Sequence, residues 1–516
     1  MTLGRTWTVA LEGLDGRLVA VEAHLAGGLP GTTIIGMGDT VGQQAKERLR
    51  SALVNSGCKW PDQRITLALS PAGLPKKGAS FDLAMAVALV VANEKDPVGV
   101  PGDAATRHVL IGELGLDGSV RRVRGVLPLL LAARGHGRTT AIVPSDNLAE
   151  ASLSGLLVRG ADNLPQVLAF LRGDGPLVEA DPSSMRPQAT AGPADMADVL
   201  GQPEARAALE LAAAGRHHIA MLGPPGAGKT MLAMRLVGLL PPLDDEQALQ
   251  VTAIHSVAGA LEDDHPLVVR PPFIGPHHSA SLAAMVGGGS GLPRPGAASL
   301  AHHGVLFLDE APEFKPSVLD SLRQSLEEGS VLVARSDRAV VFPARFQLVL
   351  ASNPCPCAAA RDVDCTCPSG VRRRYLSRLS GPLMDRVDIQ VTVQPLDAES
   401  LSVSARRRGE VSEAVESTAE IVPRVVAARE RSAARWTGMS WRCNAEAPGP
   451  AVRAFYAGIG CDLSIVDEAA RSGRLTGRGY DRVLRLALTA ADLAGRAVPD
   501  RRDVRRALAL RCGDAA

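Results

Sequence analysis

Along the first 170 or so positions, apolar residues either alternate with polar ones or gather in short runs. Val19-Ala20-Val21-Glu22-Ala23-His24-Leu25 and Arg64-Ile65-Thr66-Leu67-Ala68-Leu69 carry a period of two, which predicts strands. Residues 43–54 and 81–92 predict helices. Val109-Leu110-Ile111-Gly112-Glu113-Leu114, followed by Asp117-Gly118, predicts a strand entering a hairpin turn. A mixed α/β domain is therefore expected over 1–172. Residues 173–195 are rich in Gly, Pro, Ser and Asp without an apolar period, which marks a linker. Beyond it, His218-Ile219-Ala220-Met221-Leu222, Val305-Leu306-Phe307-Leu308 and Phe346-Gln347-Leu348-Val349-Leu350-Ala351 read as strands of a second α/β unit, 196–395. From 396 to 516 the pattern turns helical: 413–433 (interrupted near Pro423), 464–472, 480–494 and 501–511.

Composition narrows the class. The 516 residues are 46% hydrophobic and 22% charged, as in soluble globular proteins. The net charge of +1 means that any polyanion site must be local. The longest apolar run, 83–92, is half the length of a membrane span, and the N-terminus has no signal-peptide core. Eight cysteines in such a length do not form a disulfide framework. A soluble, cytoplasmic protein is expected.

Gly223-Pro224-Pro225-Gly226-Ala227-Gly228-Lys229-Thr230 fits G-x-x-x-x-G-K-[ST], set between a strand and a helix start. Glycines there let backbone N–H groups surround phosphate oxygens, Lys229 reaches the β/γ-phosphates, and Thr230 takes a place on Mg²⁺. About 80 residues on, Val305–Leu308 ends in Asp309 and Glu310, at the strand end where α/β sheets bind ligands. Asp309 suits the Mg²⁺ shell and Glu310 a general base acting on water. ATP and Mg²⁺ are the expected cofactors.

Other residues add a resemblance. Val199-Leu200-Gly201-Gln202-Pro203-Glu204-Ala205-Arg206 resembles the segment beside adenine in AAA+ ATPases. Asn353, ending a third strand, matches sensor 1 of that class. Gly381-Pro382-Leu383-Met384-Asp385-Arg386-Val387-Asp388 resembles the segment that supplies an arginine finger in magnesium-chelatase-type rings, implying that Arg386 serves a neighbouring subunit. Met285-Val286-Gly287-Gly288-Gly289-Ser290-Gly291 is expected to be a mobile loop. With the hairpin predicted over 331–342, it matches the pore-directed insertions of the chelatase and helicase branch. His277 and His278 read as hydrogen-bonding loop residues. Near the C-terminus, Thr476-Gly477-Arg478-Gly479-Tyr480-Asp481-Arg482 resembles a sensor-2 helix start, implying that Arg482, with Arg478 as alternative, reaches back to the nucleotide.

The N-terminal domain resembles the peptidase domain of Lon-type proteases through Lys76-Lys77-Gly78-Ala79-Ser80-Phe81-Asp82, Gly112-Glu113-Leu114 and Gly118-Ser119-Val120. Ser80 occupies the nucleophile position, but the family's lysine is replaced by Val126-Leu127-Pro128. A serine without a base is a poor nucleophile, so the fold and not proteolysis is implied. Over nearly the whole chain the sequence resembles the ComM/YifB family of magnesium-chelatase-like AAA+ ATPases. That resemblance implies an α/β multidomain protein: a Lon-like domain, a P-loop parallel-sheet motor and a helical lid. It also implies a homo-hexameric ring that moves DNA branch points in recombination or natural transformation. A protein-remodelling or chelatase-type motor acting on a partner is the alternative.

Cys355-Pro356-Cys357 and Cys365-Thr366-Cys367 place four thiols within thirteen residues, directly after the third strand. Structural Zn²⁺, strained local disulfides and reduced thiols all fit this spacing, with zinc favoured. Downstream, Arg372-Arg373-Arg374 and Arg378 form either a solvated helix face or a phosphate-contacting patch. Arg406-Arg407-Arg408 reads as surface charge.

Overall fold

A computed structural model of the chain describes residues 2–74, 76, 78–180, 194–262, 266–289, 293–335, 338–359, 364–379, 381–395 and 415–513. The N-terminal region builds an eight-stranded mixed sheet. Its strands are β1 (Thr2–Glu12), β2 (Asp15–Ala26), β3 (Gly31–Ile35), β4 (Arg64–Ser70), β5 (Val109–Leu110), β6 (Thr140–Pro144), β7 (Leu157–Ala161) and β8 (Val178–Glu179). They are ordered β8-β7-β6-β5-β1-β2-β4-β3. Helix α1 (Asp39–Asn55) turns one apolar stripe inward, with Ala45, Leu49 and Ala52 buried. Helix α2 (Asp82–Ala92) is apolar all round and correspondingly buried all round. Helix α3 (Val126–Gly135) covers β1 and β2.

The predicted strand 109–114 divides. Gly112 donates its N–H to Ser80 O and accepts from Leu83 N–H, so it bonds to the entrance of α2 rather than to a strand. Glu113–Leu114 then pairs with Val120–Arg121 across the expected turn.

The second unit is a five-stranded parallel sheet: β9 (Ile219–Leu222), β10 (Phe273–Ile274), β11 (Val305–Leu308), β14 (Gln347–Ser352) and β15 (Ile389–Thr392), ordered β10-β11-β14-β9-β15. The hairpin β12 (Ser330–Arg335) and β13 (Arg338–Pro343) precedes β14, as predicted. Helices α4 (Pro203–Gly215), α5 (Lys229–Leu239), α6 (Asp245–Ala258), α7 (Pro316–Glu328) and α8 (Ser369–Leu376) are interspersed with these strands along the chain. The helices α9 (Thr418–Arg435), α10 (Gly477–Leu493) and α11 (Arg501–Cys512) follow. Pro423 lies inside α9 without ending it, because Ile421 and Val425 on either side are buried against the motor. A helix that the periodicity reading missed, Gly449–Ile459, buries Val452 and Tyr456.

One apolar cluster joins Ile219 and Val349 of the sheet to Val425 of α9 and Leu486 of α10, so lid and motor share a core. The N-terminal unit docks on the motor as well. Leu14, in the β1–β2 turn, packs against the cluster containing Phe314 and Phe342. Ser256 on α6 donates its hydroxyl to the buried Glu150 carboxylate and its carbonyl accepts from Gly125 N–H.

The glycine-rich stretch begins as structure. Met285 is buried at the end of a short helix, and Gly287–Gly288 pairs with Arg294–Pro295. The glycine tract is thus anchored at its base, where the sequence suggested a loop throughout, and 290–292 lie outside the described residues. So do 181–193 of the expected linker and Arg406–Arg408.

Candidate nucleotide site and its surroundings

Strand β9 lies between β14 and β15, so the loop that follows it emerges at the centre of the sheet. Gly223 passes so close to Val393 that a Cβ would overlap its carbonyl. Gly228 sits at φ 91°, in the left-handed region, directly before α5. The first N–H groups of α5 have no intrahelical acceptor and face the loop's concavity with the positive end of an 11-residue helix. Lys229 is buried, and its ammonium donates to Gly223 O at 2.6 Å, Pro224 O at 2.9 Å and Asn353 Oδ1 at 3.0 Å. Burial pushes its pKa down, while Asp309 and Glu310 pull it back up.

Thr230 Oγ1 donates to Asp309 Oδ2 at 2.8 Å. A hydroxyl and a carboxylate meeting beside a lysine and free N–H groups form a donor set that fits Mg²⁺ with a nucleoside triphosphate. Glu310 has φ 49°, an uncommon conformation for a non-glycine residue and one that turns it away from the strand direction. Its carboxylate lies 3.1 Å from His278 Nδ1. This contact was not legible in sequence, since His278 comes from the segment after β10. His277, its neighbour, bonds Ser279 Oγ at 2.7 Å, as a loop histidine does.

Two arginines sit elsewhere. β15 runs parallel to β9 with Ile389 opposite Ile219, so Asp388 and His218 mark the end of the sheet away from the phosphate loop. The four residues of β9 separate the two ends by about 13 Å. Arg482, on α10, pairs with Asp388 and donates to Asp385 O at 2.7 Å. These contacts hold its guanidinium at the end of the sheet away from the phosphate loop, whereas the resemblance implied that it reaches back to the nucleotide. Arg386 is buried, donates to Pro382 O at 2.6 Å and pairs with Glu327 on α7. Arg478, exposed, lies 3.3 Å from the same Glu327.

The four thiols converge: the sulfurs of Cys355, Cys357, Cys365 and Cys367 all lie within 4.8 Å of one another. Thiolates at about 2.3 Å from a tetrahedral Zn²⁺ stand about 3.8 Å apart, so the cluster fits a metal with small adjustment. All four cysteines are free. A backbone N–H of Cys367 together with Cys355 and the Arg372 guanidinium lowers the Cys365 thiol to about 6, whereas burial raises Cys355 to about 11. Arg372 Nε lies 3.3 Å from Cys365 Sγ, and Arg378 bonds Glu313 Oε2 at 3.2 Å. Arg373 and Arg374 are exposed.

In the N-terminal unit Ser80 precedes α2. Lys76 is buried with its ammonium given to the carbonyls of Pro71 and Leu74. Val126, Leu127 and Pro128 open α3, all buried. Arg48 clamps the buried Asp82 at 2.7 Å, and burial still pushes that carboxyl up to about 6.

A central strand, a glycine-rich loop capped by Lys229 and Thr230, and Asp309 on the next strand but one define a P-loop fold of the AAA+ class. Profiles described as subunit ChlI of Mg-chelatase, magnesium chelatase subunit ChlI, and the ChlI C-terminal region match residues 21–147, 195–401 and 415–511. The chain belongs to the ComM/YifB family of magnesium-chelatase-like AAA+ ATPases. It is 49% identical over 516 residues to an uncharacterized protein of Mycobacterium tuberculosis (strain ATCC 25618 / H37Rv), covering 99% of each chain. It is 39% identical over 522 residues to the uncharacterized protein YifB of Escherichia coli (strain K12), covering 100% of this chain and 98% of that one. Competence protein ComM of Haemophilus influenzae (strain ATCC 51907 / DSM 11121 / KW20 / Rd) is 38% identical over 500 residues, 96% of this chain and 94% of its own. A shorter stretch, 27% of this chain and 26% of the other, is 32% identical to Lon protease 2 of Bacillus subtilis (strain 168). Among the described residues no helix is long and apolar enough to cross a membrane.

Proposed function

We propose that the chain hydrolyses ATP as a homo-oligomeric ring, a hexamer by family resemblance, and uses the energy to move branched or single-stranded DNA. The observation that carries the ATPase reading is the convergence of Lys229, Thr230, Asp309, Asn353 and Glu310 at one end of the sheet. Bound ATP and Mg²⁺ supply the phosphoryl group and its charge neutralisation. The loop N–H groups and Lys229 hold the phosphates, Gly223 to Thr230 forming the cradle. Thr230 and Asp309 hold the cation, Asn353 fixes Lys229 and orients water, and Glu310 takes the water's proton. Arg386 lies at the opposite end of its own sheet, so it would serve a γ-phosphate only across a subunit boundary, while Arg482, paired with Asp388 at that same end, ties the lid to it. That arrangement makes hydrolysis depend on assembly. Cys355, Cys357, Cys365 and Cys367 would hold a structural Zn²⁺.

The DNA reading rests on the relative named as a competence protein and on the hairpin β12–β13 and the Gly287–Gly288 ribbon. The chelatase profiles favour one other reading, a motor that remodels a partner protein. Phosphate release measured without DNA and with linear duplex, single strand or a four-way junction separates them, with Glu310→Gln as control. Stimulation by junction or single strand, lost in the variant, is the expected result. Intact basal turnover indifferent to every DNA would overturn the DNA reading and leave the partner-protein one.

A further inference from the structure

Asn353 is the last polar ligand of Lys229, yet it stands just outside its strand. β14 ends at Ser352, and the chain passes through Asn353 and Pro354 straight into Cys355. Cys355 is the buried member of the thiol cluster, 1% exposed, with its sulfur 3.1 Å from Cys357 and 3.4 Å from Cys365. Proline fixes its own φ and restricts the residue before it, so the one-residue tether between Asn353 and the cluster is stiff.

The other side of the cluster leads to Glu310. Arg372, on α8, donates to Cys365 Sγ. Tyr375, on the same helix, is buried, with the Arg378 guanidinium 5.9 Å from its ring centre. Arg378 then donates to Pro312 O at 3.3 Å and to Glu313 Oε2 at 3.2 Å, gripping the turn that directly follows Glu310. The cluster thus stands between the asparagine that fixes Lys229 and the turn that carries the base. Without a cation, only the sulfur–sulfur contacts and the single Arg372–Cys365 contact hold this junction, against four metal–sulfur bonds with one.

We infer that a tetrahedral metal in the Cys355–Cys357–Cys365–Cys367 cluster is a positioning device for hydrolysis. Its occupancy sets the placement of Asn353 and of the Glu310–Glu313 turn, and through them kcat. Nucleotide affinity is left alone, because the phosphate-facing N–H groups of α5 and the other two Lys229 contacts lie outside the cluster. A shift of about 1 Å in a catalytic group costs up to about 100-fold in rate. The inference rests on the ATPase reading above.

The test uses the full chain and three readouts: zinc content by metal analysis, affinity for a fluorescent ATP analogue, and kcat. Wild type should carry about one zinc per chain. The double variant Cys365→Ser/Cys367→Ser should carry none, keep nucleotide affinity within about threefold and lose about 10–100-fold in kcat. Pro354→Gly keeps all four ligands but loosens the tether, and should retain zinc while kcat falls. Metal-free wild-type protein, a metal-free variant with wild-type kcat, or an affinity loss as large as the kcat loss would each overturn the inference. Should the double variant fail to fold by circular dichroism, Pro354→Gly decides: zinc-bound protein with wild-type kcat overturns the inference. Hydrolysis that survives Glu310→Gln would instead refute the ATPase reading beneath it.

Discussion

Asp388 is 1% exposed and binds together three parts of the chain. Its carboxylate accepts the His218 N–H at 2.9 Å, pairs with Arg482 of α10, and lies 3.7 Å from His217 Nδ1. His217 in turn bonds Thr489 of α10 at 2.8 Å. Asp388→Asn keeps the size of the side chain and removes the charge, stranding an Arg482 guanidinium that is only 14% exposed. Breaking a buried pair on one side costs about 3–5 kcal/mol. With an unfolding entropy of about 2.1 cal/mol/K per residue over roughly 320 residues, each kcal/mol is about 1.5 °C, and the motor–lid melting temperature should fall by about 4–8 °C. Asp103→Asn is the control. Its i,i+4 pair with Arg107 is about 70% exposed on both sides, and exposed pairs are worth less than about 1 kcal/mol.

Acid gives a second readout. Burial acts to raise the Asp388 carboxyl, but Arg482, His217 and His218 outweigh it and hold it well below the usual carboxylate range. A depressed folded pKa means that the stabilisation is present above the unfolded value of about 3.9 and is lost as pH falls through the folded one. The asparagine variant should lack that part of the acid dependence. Differential scanning fluorimetry from about pH 7.5 down to about pH 2 measures both effects. A melting temperature for Asp388→Asn indistinguishable from that of Asp103→Asn would refute the argument that this buried pair fastens the lid.

Two further predictions concern the nucleotide site. Glu310→Gln should slow phosphate release by about 10²–10⁴ with nucleotide affinity preserved. Lys229→Ala should weaken binding by about 10-fold or more, since charge-assisted contacts are worth about 1.5–3 kcal/mol. Equal affinity losses in both would contradict their separate roles. Arg386→Ala and Lys229→Ala, each inactive alone, should recover hydrolysis when mixed, because one intact loop then meets one intact arginine across a boundary. No recovery at any ratio, with mixed oligomers demonstrated by cross-linking, would show that Arg386 does not act in trans.

The placement of the loop, of Asp309 and of Asn353 was legible because each stands at the end of an apolar strand run, and parallel strands put such ends together. The convergence of the thiols was legible for a similar reason: four cysteines within thirteen residues have little room to part. Arg482 was harder to place. Its helix was evident from periodicity, but which face of the motor that helix meets depends on a shared core of Val425, Leu486 and Val349, drawn from distant segments. His278 illustrates the same limit, since nothing local ties it to a glutamate 32 positions later. Gly112 and Pro423 misled in opposite directions. A glycine diverted a strand's hydrogen bonds to a helix entrance, and a proline was carried through a helix by burial on both sides.

The docking of the first unit on the second bears on how the polypeptide is dissected. A recombinant boundary placed near residue 195 looks natural, since a stretch of poor apolar content precedes it. Yet it would take Leu14 away from the cluster around Phe314 and Phe342, and Glu150 away from Ser256. The excised motor would carry a freshly uncovered oily patch beside the very hairpin proposed to grip DNA. Stickiness in such a fragment would then imitate nucleic-acid affinity, and the intact chain is the sound reagent for binding work.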